Sequence, residues 1–305
     1  MAFVAACGAG APEHPLPLSG DDLCTVELRL GAAGTSRFVL DTGSQLSFVT
    51  SRAADRLGFA CSESRRTEIV DSTGTRLTSQ GSAVVPAFRL GEVSFPAVSV
   101  PEFVPDPRFP ADGILGADML SRAAWLFDGP AQRVFVTSFD SIEANVGRFG
   151  YRIVSRIPLR IVDGRPWIVV RIDERQDVEL LLDTGSSSTR LPMHLVESLR
   201  LPDATAETED ARRREAEELR VALMAAGMRD VRVERRGGGE VGVGGEERPD
   251  RPFAVASLAL GNRTWEHLVV HGSWGSEGLL GRDVLARFPW LLDWRAQSLL
   301  LLAAE

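Results

Sequence analysis

One pattern is written twice in this chain. Phe38-Val-Leu-Asp-Thr-Gly-Ser44 returns 142 positions later as Leu180-Leu-Leu-Asp-Thr-Gly-Ser186. The surroundings return with it. Before each Asp lies a strand-like alternation, Thr25-Val-Glu-Leu-Arg-Leu30 and Trp167-Ile-Val-Val-Arg-Ile172, with Leu30 and Ile172 each 11 positions ahead of their Asp. After each motif comes a short helical pattern, 51–57 and 193–199. Further on stand Ile114-Leu115-Gly116-Ala-Asp-Met-Leu120 and Leu279-Leu280-Gly281-Arg-Asp-Val-Leu285, each followed by an Asp before a final strand, Asp128 and Asp293. A repeat this long calls for two similar lobes. The expected organisation is a flexible segment 1–20, a first lobe 21–140, a connector 141–157 and a second lobe 158–305. The fold class expected is all-β: two pseudo-symmetric, barrel-like lobes of strongly curved sheet with a cleft between them.

The copies differ in length. Asp183 to Gly281 spans 23 residues more than Asp41 to Gly116. The surplus falls at about 203–229, where the pattern turns charged and helical. Glu209 with Arg213 and Asp210 with Arg214 are four apart, and Gly227 suits a helix end. A helical insertion in the second lobe is expected there, with a solvated surface as its ordinary reading and partner docking through its apolar end, 219–228, as the other.

Each lobe also offers a hairpin between its Asp motif and its Gly-ending motif. In the first, 67–78 puts Asp71 to Gly74 at a turn, so Ser72, Thr73 and Gly74 are flap candidates. In the second, Val231 and Val233 alternate into Gly237, Gly238 and Gly239, with Val241 and Val243 alternating out. This Gly-rich run lacks a Lys-Ser/Thr ending and is followed by acidic residues, so it is a poor phosphate cradle.

Composition removes several classes of function. The net charge is -8, and all 34 positive charges are scattered Arg, which leaves no basic patch for nucleic acid. No apolar run reaches the ~18 residues that span a bilayer. The three Cys and four His lack metal-ligand spacing, so no metal is expected. No Gly-x-Ser-x-Gly elbow occurs for a nucleophilic hydrolase.

The duplicated loop itself carries chemistry. An apolar run ending in Asp-Thr-Gly buries a strand and leaves one carboxylate at its tip, with a Gly that permits close backbone approach. Two such loops facing each other bring two carboxylates together. Like charges that close cannot both ionise, so the pair holds one proton and supplies a base and an acid at once.

Asp41-Thr42-Gly43-Ser44 and Asp183-Thr184-Gly185-Ser186 resemble the paired motifs of aspartic proteases. Ile114-Leu115-Gly116 and Leu279-Leu280-Gly281 resemble the apolar-apolar-Gly segments that brace those loops, and GLLGRDVL is especially similar to retropepsin-type sequences. The likeness runs from about residue 22 onward, outside the insertion. It is nearest to a retropepsin dimer fused into one chain, as in bacterial retropepsin-like proteins. The single Tyr, Tyr151, falls in the connector, so a pepsin-type flap tyrosine has no counterpart in the first lobe.

The resemblance implies an aspartic-type endopeptidase with Asp41 and Asp183 as the catalytic pair. It implies that Thr42 and Thr184 cross-link the loops, and that Ser44 and Ser186 each donate to the outer oxygen of their own Asp, giving an optimum on the acid side of neutral. It implies no cofactor, an extended peptide or protein as substrate, and a monomer that holds both half-sites. Unequal residues at matched points (Phe48 against Arg190, Leu46 against Ser188) make the cleft asymmetric. The rival reading keeps the fold without catalysis, as a peptide- or partner-binding module.

Near the start, Val4-Ala5-Ala6-Cys7-Gly8 resembles the cleavage box of bacterial lipoproteins. A lipid anchor at Cys7 would place the protein in the periplasm or on a membrane; an accidental match would leave it cytoplasmic. In an oxidising compartment Cys24 and Cys61 could pair, the alternative being two buried thiols.

Overall fold

The computed structural model describes residues 16–18, 24–63, 66–70, 75–205, 208, 210, 214, 217–218, 221, 240–241, 247–248, 251–273 and 275–305. The period-two alternation read before each Asp motif forms a strand. Thr25–Arg29 alternates buried and exposed side chains after its first residue, and so does Arg165–Ile172. The fold is all-β with barrel-like sheets.

Two seven-stranded sheets share the order of six strands and differ in the seventh, Ala60–Ser62 at one end of the first and Arg160–Val162 at the other end of the second. The first runs Thr25–Arg29, Thr35–Leu40, Gly113–Leu115, Phe48–Thr50, Val98–Phe103, Gly81–Val85, Ala60–Ser62. The second runs Arg160–Val162, Arg165–Ile172, Gln176–Leu182, Leu279–Leu280, Arg190–Pro192, Arg263–Ser273, Pro252–Leu260, and an extra pairing of Arg165–Ile172 with Pro252–Leu260 curls it on itself. In both, the strand that ends at the Asp motif lies parallel to the apolar-apolar-Gly strand, with Leu40 opposite Leu115 and Leu182 opposite Leu280. Each Asp-bearing loop therefore leaves its sheet beside its own brace.

A third sheet takes strands from both halves. Its order is Leu16–Pro17, Arg133–Thr137, Ala124–Asp128, Pro289–Asp293, Ser298–Ala304, Tyr151–Pro158. At its centre Trp125 pairs with Leu292 and Phe127 with Trp290. Trp125 and Trp290 are counterparts in the repeat, as are Phe127 and Leu292, so the repeat exchanges one pair for the other. The Phe127 and Trp290 rings stack 4.3 Å apart, and one buried apolar cluster runs through this sheet into both seven-stranded sheets. Each Trp is pinned in the same way, Trp125 donating to Leu120 O (2.7 Å) and Trp290 to Leu285 O (3.0 Å). The duplicated Asp128 and Asp293 cap the hairpin turns that follow, accepting from the Ala131 and Ala296 N–H groups.

Several expectations change. The stretch expected as connector contains the helix Ile142–Arg148 and the edge strand Tyr151–Pro158, which pairs along Ser298–Ala304. Tyr151 is buried there and donates to Asp128, which lifts its phenol to about 12, burial being the larger cause. Cys24 is a buried and Cys61 an exposed free thiol, so the structure shows neither a Cys24–Cys61 pair nor two buried thiols. In the insertion, Thr208, Asp210, Arg214, Glu217, Glu218 and Val221 are helical, as the charge pattern required. Cys7 and its flanking residues lie outside the described residues. Among the described residues, no helix is long and apolar enough to cross a membrane.

Replacing Trp290, 1% exposed, removes the stack, a buried hydrogen bond and the central filling of the shared sheet. Trp290→Ala is expected to cost about 3–5 kcal/mol of folding stability in denaturant titration, well above the same change at exposed Trp positions of ordinary proteins.

Candidate active site

Each Asp-Thr-Gly loop begins where its strand ends, and the brace fixes the exit. The Asp41 N–H donates to Leu115 O and the Asp183 N–H to Leu280 O, both at 3.0 Å. Downstream, the Ala117 N–H donates to Ser44 O (2.8 Å) and the Arg282 N–H to Ser186 O (3.0 Å). The brace glycines are required by contact. A Cβ on Gly116 would stand 2.6 Å from the Leu46 carbonyl carbon, and one on Gly281 2.3 Å from that of Ser188.

The two threonines tie loop to loop. The Thr42 N–H donates to Thr184 Oγ1 and the Thr184 N–H donates to Thr42 Oγ1, each at 3.0 Å. Each hydroxyl then donates onward to the opposite strand, Thr42 to Leu182 O (2.5 Å) and Thr184 to Leu40 O (2.7 Å). Both side chains are fully enclosed, so these bonds do not compete with water.

This cross-link sets the carboxyls face to face with the opposite glycines. A Cβ on Gly43 would lie 2.5 Å from Asp183 Cγ, and one on Gly185 2.5 Å from Asp41 Cγ. Only glycine leaves that space. Oδ1 of Asp41 accepts from the Gly43 N–H (2.9 Å) and the Ser44 N–H (2.8 Å). Oδ1 of Asp183 accepts from the Gly185 N–H (2.8 Å) and the Ser186 N–H (3.0 Å).

The two carboxyls are thus enclosed on facing loops, where two like charges so close favour a proton on one of them. Burial holds Asp41 above the ordinary aspartate value, against the pull of the Ser44 and Gly43 donors and the Arg165 charge. Asp183 is pushed well above it, by burial first and by the negative charge of Asp41 second. The pair therefore keeps a proton that a lone surface aspartate would have released.

The serine hydroxyls do not make the bonds expected of them. Ser44 Oγ donates to Leu46 O and Ser186 Oγ to Ser188 O, both at 2.9 Å. Their backbone N–H groups reach the carboxylates instead. A hydroxyl on a tight loop has its own carbonyl two residues on, and that local acceptor takes it.

One buttress went unassigned in the sequence. Asp118 Oδ1 accepts from both the N–H (2.8 Å) and the hydroxyl (2.6 Å) of Ser47, and Ser47 Oγ accepts from the Gly116 N–H (2.9 Å). Asp283, Thr189 and Gly281 repeat this at 2.8, 2.8 and 3.1 Å. The signal was available, since Ser47 and Thr189 stand at one offset from their Asp and Asp118 and Asp283 at one offset from their Gly.

The first hairpin forms as read, Glu68–Val70 pairing with Arg76–Thr78, and Ile69 and Leu77 pack on the cluster of Val39, Phe48, Phe103, Ala111 and Ile114 beside the Asp41 loop. Ser72, Thr73 and Gly74 at its tip lie outside the described residues. In the second half Glu240 pairs with Arg248 and Val241 with Glu247, and the flap candidates Gly237, Gly238 and Gly239 lie outside the described residues. Among the described residues no group of His, Cys, Asp and Glu could hold a metal ion.

Residues 26–119 match the family model described as aspartyl protease. The match covers the first Asp-Thr-Gly-Ser loop, its hairpin and its brace, and supports an aspartic-protease-type function. No curated protein matches the chain.

Thr184→Val strands the Thr42 N–H in a buried site. It is expected to cost about 1–3 kcal/mol in chemical denaturation, while Thr184→Ser, which keeps the hydroxyl, should cost less.

The pH dependence has a definite sign. Both carboxyls have folded-state values above the ~3.9 of an unfolded aspartate, so their contribution to stability is complete below that value and is lost as pH rises through the folded values. Asp183→Asn removes the loss. Its melting temperature is expected to exceed that of the wild type at pH 7, with the difference closing towards pH 3.

Proposed function

We propose that the chain is an aspartic endopeptidase, with Asp41 and Asp183 as its catalytic pair, a first lobe over 21–140 and a second over 158–305. The observation that carries this reading is the reciprocal seating of the two carboxyls, each against the glycine of the other loop, where burial raises both above the ordinary aspartate value. A pair of aspartates serving only as structural acceptors would be met by cations or spread apart. These two face each other and are paired with no cation within hydrogen-bond reach among the described residues.

The chemistry follows from one shared proton. The ionised carboxylate takes a proton from a water held between the pair, and the water oxygen attacks the peptide carbonyl carbon. The protonated partner gives its proton to the carbonyl oxygen, so a neutral tetrahedral diol forms without a full oxyanion. Collapse of the diol breaks the C–N bond as the protonated carboxyl delivers its proton to the departing nitrogen and the ionised one takes a proton from a diol hydroxyl, leaving a carboxylic acid and an amine. Every proton is handled by the pair, so turnover returns one proton to the two aspartates. The backbone N–H donors from Gly43, Ser44, Gly185 and Ser186 hold each inner oxygen in place through the cycle.

An extended peptide suits a site between strands and a hairpin, because main-chain bonds can hold it whatever its side chains are. The Glu68–Val70 and Arg76–Thr78 hairpin is the nearest such edge to the Asp41 loop.

The test is cleavage of an unstructured peptide library between pH 3 and 8 by wild type, Asp41→Asn and Asp183→Asn. Wild type should cut with a bell-shaped profile peaking below neutral, and either substitution should lower kcat by about 10²–10⁴-fold. Binding without cleavage at any pH would favour a silent peptide-binding module, and equal cleavage by all three proteins would rule out the pair.

A further inference from the structure

The repeat allows the two walls of the site to be compared position by position. In the first half Phe48 lies opposite Ile114 of the brace strand, and Thr50 lies opposite Phe103. In the second half Arg190 lies opposite Leu279, and Pro192 lies opposite Ser273. Register thus equates Phe48 with Arg190 and Phe103 with Ser273. Counting back from the brace glycines equates Ala111 with Ser276.

The first-half set is apolar throughout. Phe48 and Phe103 meet edge to face at 5.3 Å, Phe109 stands 6.2 Å from Phe48, and the hairpin residues Ile69 and Leu77 pack over them. The second-half set has a guanidinium and two hydroxyls where the first has two rings and a methyl. Arg190 is 5% exposed and Ser273 6%. Beside Ser276, Glu277 forms a two-pronged ion pair with Arg165 at 2.8 and 2.9 Å, and the Arg165 charge is felt by both catalytic carboxyls. The second-half wall thus carries a guanidinium and hydroxyls, whereas its counterpart is neutral and apolar.

Resting on the endopeptidase reading above, we propose that the second-half wall is a subsite for an acidic substrate side chain, Asp or Glu, with Arg190 as its specificity-determining residue. The guanidinium fork matches a carboxylate in shape as well as charge. Burial removes the water that would weaken the attraction. Arg190 is already engaged within the protein, so a substrate carboxylate must share or replace that contact, which keeps the preference moderate.

The experiment uses the full chain and quenched peptides of one apolar frame, varied to Glu, Gln, Leu or Lys at each position flanking the scissile bond. At pH 5.5 a peptide Glu is ionised, its pKa being about 4.3. Wild type is expected to favour Glu over Gln at one flanking position by about tenfold in kcat/KM, as one charge-assisted contact supplies, and to favour it over Lys by more. Arg190→Leu should bring the Glu-to-Gln ratio to about one, whatever happens to the absolute rate, and Arg190→Lys should keep it above one. Wild type cutting the Glu and Gln peptides equally at every position would overturn the subsite and leave the endopeptidase standing. So would an Arg190→Leu protein that keeps the preference. Wild type cutting no peptide at any pH would fell the endopeptidase reading and the subsite with it. The wild-type comparison needs no variant to fold.

Discussion

Four hydrogen bonds between Thr42 and Thr184 and the strands they face hold together what electrostatics would drive apart. Two aspartates that were free to choose would separate or take cations, because enclosing like charges is costly. Here each loop is fixed by the other's threonine, its own brace and its own Ser47- or Thr189-centred buttress. The carboxyls then have one remaining way to lower their energy, which is to hold a proton between them. The raised Asp183 is thus a consequence of scaffolding from far outside the pair. Stability given up at the pair is supplied by the sheets around it, the usual relation between a strained site and its support.

The scaffold is the same device used twice. A strand delivers the Asp, a parallel neighbour receives its N–H, a glycine lets the next loop pass at contact distance, and an Asp one turn on ties down the loop's far end. Each part is weak. Their closure into a ring through both halves makes the geometry a property of the whole fold.

Much of this was legible in the sequence because it was written twice. The Asp-Thr-Gly-Ser loops, the braces at Gly116 and Gly281 and the positions of Asp128 and Asp293 could be read from matched offsets, and the first hairpin from its own turn residues. What was missed lacked that check or depended on contacts between distant segments. The serine hydroxyls could be assigned only from the loop's own curvature. The strands around Trp125 and Trp290 read as ends of their own halves, since nothing local says that they pair with each other. Tyr151–Pro158 looked like a linker because its partner strand, Ser298–Ala304, is at the other end of the chain.

The mixed sheet has a consequence for how the molecule comes apart. Its six strands come from early, middle and late in the chain, and the pairing of Ala124–Asp128 with Pro289–Asp293 is its seam. Neither half owns a complete floor. Melting one half would strip the other of its buried tryptophan contacts, so heat should take both together in a single cooperative step rather than leaving one barrel standing beside a coil.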